Sequence, residues 1–346
     1  MNLPYLTQAQ APLTSEIEAV NELGEAQKVS IPAERALTVY VDKRELVTLM
    51  TLGANPELLV LGYLRNQRLV KSAGDIESIT VDWEVGAAAV KTVRGIEDIE
   101  AKTAQRVVTT GCGQGSVFGG LMDEVDQIAL PPEAFISQSQ LYGLVNTIRL
   151  KETTYKSAGS VHACALFSTA SGEAEMLLFV EDVGRHNAID TIAGWMWMQE
   201  LALTLPTACG SLPPEGAAAP AVRQSRSCGP DWQGADAPLA GVCGSLPEGE
   251  LAEVAAVDAS SPTSQAGLVF YTTGRLTSEM VIKSAQMGVP VVVSRSGITQ
   301  MGHQVAQAVG LCAIGRATNK RFLCYSHPER LRLQPGLAVS PSSPSP

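Results

Sequence analysis

The alternation of apolar runs and helical patterns after residue 267 constrains the fold more than any other feature. Three apolar runs are separated by two amphipathic stretches, in the order 268–271, 278–287, 291–294, 299–309 and 311–315. Gly288 and Gly310 follow the two amphipathic stretches, as glycine commonly does after the last turn of a helix. This spacing indicates βαβ units, so the sequence predicts an α/β fold with a sheet that is at least partly parallel.

Patterns in the first half of the chain predict an N-terminal strand-helix segment followed by further strands. The runs LTVYV and LVTLM, separated by the polar residues 42–45, predict a β-hairpin. Residues 55–57, Asn-Pro-Glu, have the residue types of a helix N-terminus. The apolar runs 161–167 and 176–180 indicate two more strands, and 188–200 indicates a helix.

Changes in composition divide the 346 residues into five predicted parts. A chain of this length is typical of about two domains, or of one large α/β domain with insertions. One stretch is rich in Pro, Ala, Gly and Ser and lacks apolar periodicity, as inserted or disordered segments do. The predicted parts are a loose N-terminal arm (1–30), an N-terminal α/β segment (31–130), an α/β core (131–202 and 267–331), a low-complexity insertion (203–266) and a disordered tail (332–346).

Charge and composition exclude several classes of protein. The net charge of −10 argues against a protein that coats nucleic acid or an anionic membrane. No apolar run approaches the ~18 residues of a membrane-spanning helix, and the N-terminus lacks the pattern of a signal peptide. Seven cysteines in so long a chain do not indicate a disulfide scaffold. We therefore expect a cytoplasmic protein with free thiols that binds neither nucleic acid nor a membrane.

Cys112 is the candidate catalytic residue. It lies in the glycine-rich loop 111–116, GCGQGS, directly after a β-like run. Flanking glycines leave a thiol sterically open, and backbone amides can stabilise its thiolate, which suits a nucleophile or a sulfur carrier. The alternative is a cysteine that packs as a small hydrophobic residue. Three other cysteines lie inside apolar runs and fit that alternative, namely Cys164, Cys312 and Cys324.

The polar run 181–187, EDVGRHN, is a second candidate, because polar loops between a strand and a helix often bind ligands. The alternative is an ordinary helix start, with Asn187 as its cap and with Asp182 and Arg185 paired at the surface. His162, on a predicted strand, is expected by itself to be a core histidine.

Cationic residues follow two predicted strands, at positions where open α/β sheets bind ligands. Arg and Lys side chains bind phosphate oxygens, so one interpretation is a site for a phosphorylated ligand, and the other is an exposed charged turn. The sequence has no Walker motif, no paired C-x-x-C and no H-E-x-x-H, and no metal site is predicted. The candidate cofactor-binding residues are Gly274, Arg275, Arg316, Ala317, Thr318, Asn319, Lys320 and Arg321.

Three segments together have the pattern of a known family. They are LVTLMTLGANPELLVLGYLRNQRLVKSAGDI, VHACALFSTASGEAEMLLFVEDVGRHNAIDTIAGW with its distinctive EDVGRHNA, and the region from TTGRLTSEMV to RFLCYSHPERL. The chain resembles the FdhD family of formate dehydrogenase accessory sulfurtransferases. The resemblance implies a cytidine-deaminase-like α/β/α sandwich with a mixed sheet, and a homodimer. It also maps the family's catalytic cysteine onto Cys112 and its cofactor-binding segment onto residues 316–321.

The resemblance implies a sulfur carrier. A cysteine desulfurase would load a persulfide onto Cys112, and the sulfur would pass to a molybdenum or tungsten bis-molybdopterin guanine dinucleotide cofactor needed by formate dehydrogenase. The expected partners are the desulfurase, the catalytic subunit of formate dehydrogenase and a second copy of this chain. The cofactor is expected as a bound ligand, without a tightly held metal of the protein's own.

The thiol loop departs from the C-x-x-C pattern that is common in the family, because Gly115 stands where the second cysteine would be. A single thiol can carry a persulfide, but it cannot release sulfur by closing a disulfide within the loop. This departure leaves a second function open, a maturation chaperone that binds the cofactor without sulfur chemistry. A nucleoside deaminase is set aside, because the chain lacks H-x-E together with P-C-x-x-C.

Overall fold

The computed structural model describes residues 3–96, 99, 107–108, 115–116, 128–151, 154–204 and 265–337. Cys112 and residues 205–264 of the predicted insertion therefore lie outside the described residues. No helix in the described part of the chain is long and apolar enough to cross a membrane.

The elements of the first 151 residues are β1 (Tyr5–Leu6), β2 (Thr14–Val20), β3 (Ala26–Pro32), β4 (Arg35–Val41), β5 (Arg44–Thr51), α1 (Pro56–Asn66), β6 (Ile76–Asp82), β7 (Ala87–Thr92), β8 (Val107–Val108), β9 (Gly115–Ser116), β10 (Ile136–Ser137) and α2 (Gln138–Lys151). They are followed by α3 (Thr154–Ala158), β11 (His162–Ser168), β12 (Glu175–Asp182), α4 (Arg185–Thr204), β13 (Leu268–Thr272), α5 (Ser278–Gln286), β14 (Val291–Ser294), α6 (Gln300–Ala308), β15 (Cys312–Thr318), β16 (Arg321–Ser326) and β17 (Leu331–Arg332).

Two mixed sheets organise the chain. The N-terminal sheet has the order β1-β6-β7-β4-β5, and the larger one has the order β12-β11-β13-β14-β15-β16. In the larger sheet β13, β14 and β15 run parallel, as the βαβ pattern predicts, whereas β11, β12 and β16 are antiparallel to their neighbours. The predicted α/β class with a mixed sheet is confirmed.

Helices cover both faces of the six-stranded sheet. On one face, Ile189 and Ile192 of α4 join residues of α5 and α6 in one buried cluster with Cys164 and Phe270 of the sheet. On the other face, residues of α2 pack against alternate positions of the same strands, including Phe167. The two faces alternate because successive side chains of a strand point to opposite sides. The more specific likeness to cytidine deaminases stays a prediction.

The described residues of the predicted loose arm, 3–30, are more ordered than expected. Strands β2 and β3 pair with each other in register from Thr14↔Pro32 to Val20↔Ala26. Residues 7–9 are held by Glu57, whose Oε1 accepts hydrogen bonds from the Thr7 hydroxyl and the Ala9 amide, each at 2.7 Å. The sequence pattern does not reveal this because many side chains of β2 and β3 are exposed, so they lack apolar alternation.

The first residues of the predicted disordered tail are ordered. Leu331 and Arg332 form β17, which pairs in parallel with β10. The side chain of Gln334 accepts a hydrogen bond from the Ser139 amide at 2.8 Å. These contacts fix the chain to the start of α2 beyond residue 332, and residues 338–346 lie outside the described part.

Helices α1 and α4 cross at two glycines and join the two sheets. A Cβ atom added to Gly62 would lie 2.6 Å from the amide nitrogen of Gly194, and one added to Gly194 would lie 2.9 Å from the amide nitrogen of Gly62. Either Cβ would also clash with a carbonyl oxygen of the facing helix, that of Asp190 or Leu58. Only glycine at both positions allows backbones to approach this closely.

A Gly194→Ala variant is therefore expected to be less stable by about 1–3 kcal/mol or more, because the two backbones must separate to admit the methyl group. Chemical denaturation of both proteins measures the loss. Gly143→Ala on α2 is the matched control, since nothing lies within 4 Å of its added Cβ. That control should be neutral or more stable by up to about 1 kcal/mol. Equal stability of the Gly194→Ala variant and the parent would contradict the close crossing.

Candidate functional site

The carboxyl ends of the three parallel strands form one edge of the six-stranded sheet. The hydroxyl of Ser294, the last residue of β14, donates to the carbonyl oxygen of Gly274 after β13, at 2.7 Å. The Arg316 amide in β15 donates to the carbonyl oxygen of Ser296, also at 2.7 Å. The start of β11 and the end of β12 reach the same edge, where His162 pairs with Asp182. The predicted site residues thus lie along one edge, where open sheets bind ligands.

The predicted cofactor-binding segment 316–321 is a β-hairpin rather than the expected loop. Arg316, Ala317 and Thr318 end β15, Arg321 begins β16, and only Asn319 and Lys320 form the turn. Arg316 and Asn319 both have φ near +51°, and the strand register shifts between Gly315 and Thr318. The Tyr142 hydroxyl of α2 donates to the carbonyl oxygen of Lys320 at 3.1 Å and fixes the tip.

A groove beside this hairpin contains two further cations. It encloses about 350 Å³, including space open to solvent, between α2 and the end of β15. Ala317, Thr318 and Asn319 line it together with Arg149 and Arg295. Sequence reasoning did not single out these two arginines, because they come from α2 and from the end of β14. The groove therefore has the cationic character that an anionic ligand requires.

The other two predicted residues, Gly274 and Arg275, belong to a different face of this edge. A Cβ added to Gly274 would lie 2.7 Å from Cδ of Arg185 in α4, so the arginine packs over the glycine. Helix α4 covers the face opposite to α2. The structure thus brings the eight candidate residues to one edge but divides them between two faces.

The polar run 181–187 is buried, which corrects the alternative of a solvent-exposed helix start. Asp182 is 3 % exposed, and its carboxylate accepts hydrogen bonds from the Thr51 hydroxyl and from the amides of Leu52 and Gly184. Asn187 is not the helix cap, since its side-chain amide donates to Asp182 and to the carbonyl oxygen of Met50. The run therefore ties β5 to the start of α4.

A buried ionic cluster lies one turn further along α4. Nζ of Lys283 lies 2.9 Å from Asp190 and 3.4 Å from Glu279, and both Lys283 and Asp190 are fully buried. Asn66 of α1 donates a second hydrogen bond to Asp190 at 2.6 Å. Burial alone would lower the pKa of Lys283, but the carboxylates of Asp190 and Glu279 outweigh it, so the pKa is raised. The two carboxylates therefore favour the charged form of the buried Lys283 ammonium.

His186 extends this cluster toward the sheet edge. Its Nε2 lies 3.3 Å from Oε2 of Glu279 without hydrogen-bond geometry. Burial lowers the pKa of His186 from 6.5 to about 4, and Lys283 and Arg185 act in the same direction while Glu279 opposes them. His186 is consequently neutral in the folded protein at pH 7.

This burial predicts a loss of stability in acid. Because the pKa is lower in the folded state, the unfolded chain binds the extra proton, so the contribution of His186 is present above pH 6.5 and is lost as pH falls toward 4. The free energy of unfolding should fall by up to about 1.4 kcal/mol per pH unit in this window. Chemical denaturation at several pH values measures the slope of the free energy of unfolding against pH. This slope should be shallower for His186→Asn than for the control His303→Asn. Parallel slopes in the two variants would contradict a buried neutral imidazole.

Two of the three described cysteines are poor nucleophiles, whereas hydrogen bonds with Cys312 and the Ser326 carbonyl oxygen lower the pKa of the Cys324 thiol. Cys164 and Cys312 are fully buried, and Cys324 is half-buried with its Sγ 3.9 Å from that of Cys312. Burial raises the pKa of Cys164 to about 12. Cys112 lies between β8 and β9 in sequence, and these two short strands pair antiparallel. The candidate catalytic residue itself is outside the described residues, and its role stays a prediction.

No group of three or more His, Cys, Asp or Glu side chains in the described part of the chain has the geometry of a metal site. The features that the structure does offer are a cationic hairpin with its groove, Arg185 packed over Gly274, and a buried polar cluster. An edge with these features suits a protein that binds an anionic ligand.

Comparison with known proteins identifies the fold and the family. A solved structure of a Desulfotalea psychrophila protein, described as a formate dehydrogenase accessory protein, shares the fold with a TM-score of 0.58. That structure is 18 % identical in sequence, and the match covers 92 % of this chain and 100 % of the other. The FdhD/NarQ family model matches residues 32–208 and 257–332. This chain belongs to the FdhD/NarQ family, as its resemblance in the three sequence segments predicts.

Curated relatives match nearly the whole chain. The Sulfur carrier protein FdhD of Bacillus subtilis (strain 168) is 27 % identical over 320 residues, which are 90 % of this chain and 94 % of that protein. The protein of the same name from Wolinella succinogenes is 22 % identical over 312 residues, covering 90 % of this chain and 85 % of the other.

Proposed function

We propose that this protein is a sulfur carrier that serves the maturation of formate dehydrogenase. The observation that carries the proposal is the membership in the FdhD/NarQ family together with relatives named sulfur carrier proteins over 90 % of the chain. It acts in the cytoplasm as a homodimer, with a cysteine desulfurase as its sulfur donor. Cys112 is the carrier thiol, which agrees with the burial of Cys164 and Cys312.

The loading step is a thiol exchange. The Cys112 thiolate attacks the terminal sulfur of the desulfurase persulfide, a sulfur–sulfur bond forms at Cys112, and the bond in the donor breaks with departure of its thiolate. The persulfide then serves as the sulfur source for the molybdenum or tungsten bis-molybdopterin guanine dinucleotide cofactor. Incubation with a desulfurase and cysteine followed by whole-protein mass spectrometry tests loading, and the expected result is the gain of one sulfur atom.

A cofactor-binding chaperone without sulfur chemistry is the second candidate function. The observation that favours it is the single cysteine of the thiol loop, where Gly115 stands in place of a second thiol. The mass measurement separates the two functions, since a chaperone of this kind would bind the cofactor but gain no sulfur. A protein that stays unmodified in the presence of an active desulfurase would overturn the carrier proposal.

We assign the guanine dinucleotide of the cofactor to the hairpin 316–321 and its groove, which bring several exposed cations near one another. Charge-assisted hydrogen bonds to phosphate contribute about 1.5–3 kcal/mol each. Arg321→Ala is therefore expected to weaken GDP binding by roughly tenfold or more in a calorimetric titration. Persulfide loading at Cys112 should be unchanged in this variant. Equal GDP affinities of parent and variant would remove Arg321 from the site.

A further inference from the structure

Arg185, the first residue of α4, is a buried cation that makes no direct ion pair, although its charge and that of Glu279 interact from beyond ion-pair distance. It is 6 % exposed, yet its Nε has no hydrogen-bond acceptor, and it forms no ion pair within the described part of the chain. A buried charged group without a partner costs free energy, since it has lost its hydration and gained nothing in return. Such a group is expected where a ligand supplies the missing partner.

The nearby carboxylates are held by other donors. Asp182 already accepts from Thr51, Leu52, Gly184 and Asn187. Glu279 lies 3.4 Å from Nζ of Lys283 and 3.3 Å from Nε2 of His186, although its Oε1 accepts no hydrogen bond. Neither carboxylate lies within ion-pair distance of Arg185, so the guanidinium retains its full hydrogen-bonding capacity.

Two more basic side chains converge on the same place. The Arg185 side chain runs over Gly274, next to Arg275 in sequence, with its Cδ 2.7 Å from a Cβ built on that glycine. Burial lowers the pKa of His162, and the positive charges of Arg185 and Arg275 lower it further. His162 begins β11 at the same sheet edge. Arg185, Arg275 and His162 therefore lie at the same sheet edge, near the start of α4.

The backbone of α4 reinforces this positive character. The first helical hydrogen bond runs from the Ala188 amide to the Gly184 carbonyl oxygen, so the amides of Arg185 and His186 precede the helical ladder. The 20-residue helix places the positive end of its macrodipole here. Helix N-termini with adjacent arginines bind phosphate groups, because amides and guanidinium forks both match the oxygen atoms.

We propose that Arg185, His162 and Arg275 bind a phosphate-type oxyanion at the N-terminus of α4, at a position separate from the hairpin 316–321. The anion comes either from a nucleotide or from free phosphate or pyrophosphate. Oxyanion binding at this site does not require sulfur transfer. The test of persulfide loading and the test of oxyanion binding can therefore have different outcomes.

Calorimetric titration of the full-length protein with pyrophosphate tests this site, with sodium chloride added to hold ionic strength constant. Arg185→Leu should weaken pyrophosphate binding by at least tenfold, and Arg275→Gln, at an exposed arginine, should weaken it several-fold. Lys91→Gln, which removes one exposed cation from the N-terminal sheet, is the matched control and should keep the parent affinity for pyrophosphate. Parent-like binding by both Arg185→Leu and Arg275→Gln would overturn the proposal.

The thermal stability of the ligand-free variants gives an independent readout. Because Arg185 has no partner to lose, Arg185→Leu should melt at the same temperature as the parent or higher, and the stabilisation by pyrophosphate should disappear. A markedly lower melting temperature without ligand would show that Arg185 already has a structural partner, and would overturn the proposal. GDP is the second titrant: displacement of pyrophosphate supports a nucleotide as the source of the anion, and no displacement supports a free oxyanion.

Discussion

A Cys112→Ser variant is expected to gain no sulfur from a cysteine desulfurase and to leave formate dehydrogenase inactive in a strain that carries only this variant. A serine hydroxyl cannot hold a transferable sulfur, because the exchange needs a thiolate as nucleophile. The change removes no more than one sulfur atom from a glycine-flanked loop, so the protein should remain soluble. Mass spectrometry after incubation with desulfurase and cysteine measures the loss directly.

Cys324→Ser is the matched control for this experiment. Cys324 is the half-buried member of the Cys312–Cys324 pair, and it should not affect loading. A persulfide on the Cys112→Ser protein, or full formate dehydrogenase activity with it, would assign the carrier role to another thiol. Loss of soluble Cys112→Ser protein would instead indicate that Cys112 packs as a hydrophobic residue.

A Lys283→Met variant is expected to lose about 3–5 kcal/mol of the free energy of unfolding, because it leaves the buried Asp190 carboxylate without its cation. The Lys283 ammonium lies 2.9 Å from Asp190, and both side chains are fully buried. Methionine matches the length of the lysine stem, so the loss reports the charge rather than a cavity. Chemical denaturation at neutral pH measures the effect.

Lys91→Met provides the control for the same chemical change at the surface. Lys91 lies 2.6 Å from Glu77, a shorter distance than in the buried pair, but both side chains are more than half exposed. Exposed pairs of this kind contribute about 0–1 kcal/mol. A loss below about 1 kcal/mol in Lys283→Met would mean that Asp190 is satisfied without Lys283, for instance through Asn66 alone.

Local patterns predicted most elements of the α/β core. The predicted strand at 291–294 and the helix that begins at Ser278 coincide with β14 and α5. These predictions succeed because apolar periodicity, glycine and proline act within a few residues. The sequence predicts a turn between two strands at 316–321. It does not predict that β15 continues to Thr318 or that the strand is irregular at Arg316, because both depend on pairing with β14 and β16.

The site was predicted less well because its contacts are distant in sequence. The run EDVGRHN was noticed, but its burial depends on Thr51 and Met50, more than 130 residues away. Lys283 and Asp190 are 93 residues apart, and each lies among apolar neighbours that suggest an ordinary core helix. A charged residue inside an apolar helical pattern is the one sign that could have pointed to the cluster.

The glycine crossing of α1 and α4 should make the two sheets unfold in a single thermal transition. The N-terminal sheet packs on α1 and the six-stranded sheet packs on α4, while the two helices contact backbone to backbone. Because the two helix backbones are in direct contact, the helices cannot separate slightly and still pack. Unfolding of one sheet therefore removes packing that the other sheet needs. Both sheets should therefore absorb heat in a single calorimetric peak, with a calorimetric enthalpy equal to the van't Hoff value. The N-terminal sheet and the six-stranded sheet should therefore unfold cooperatively. A ligand that binds at the carboxyl edge of the six-stranded sheet then also protects the N-terminal strands from opening.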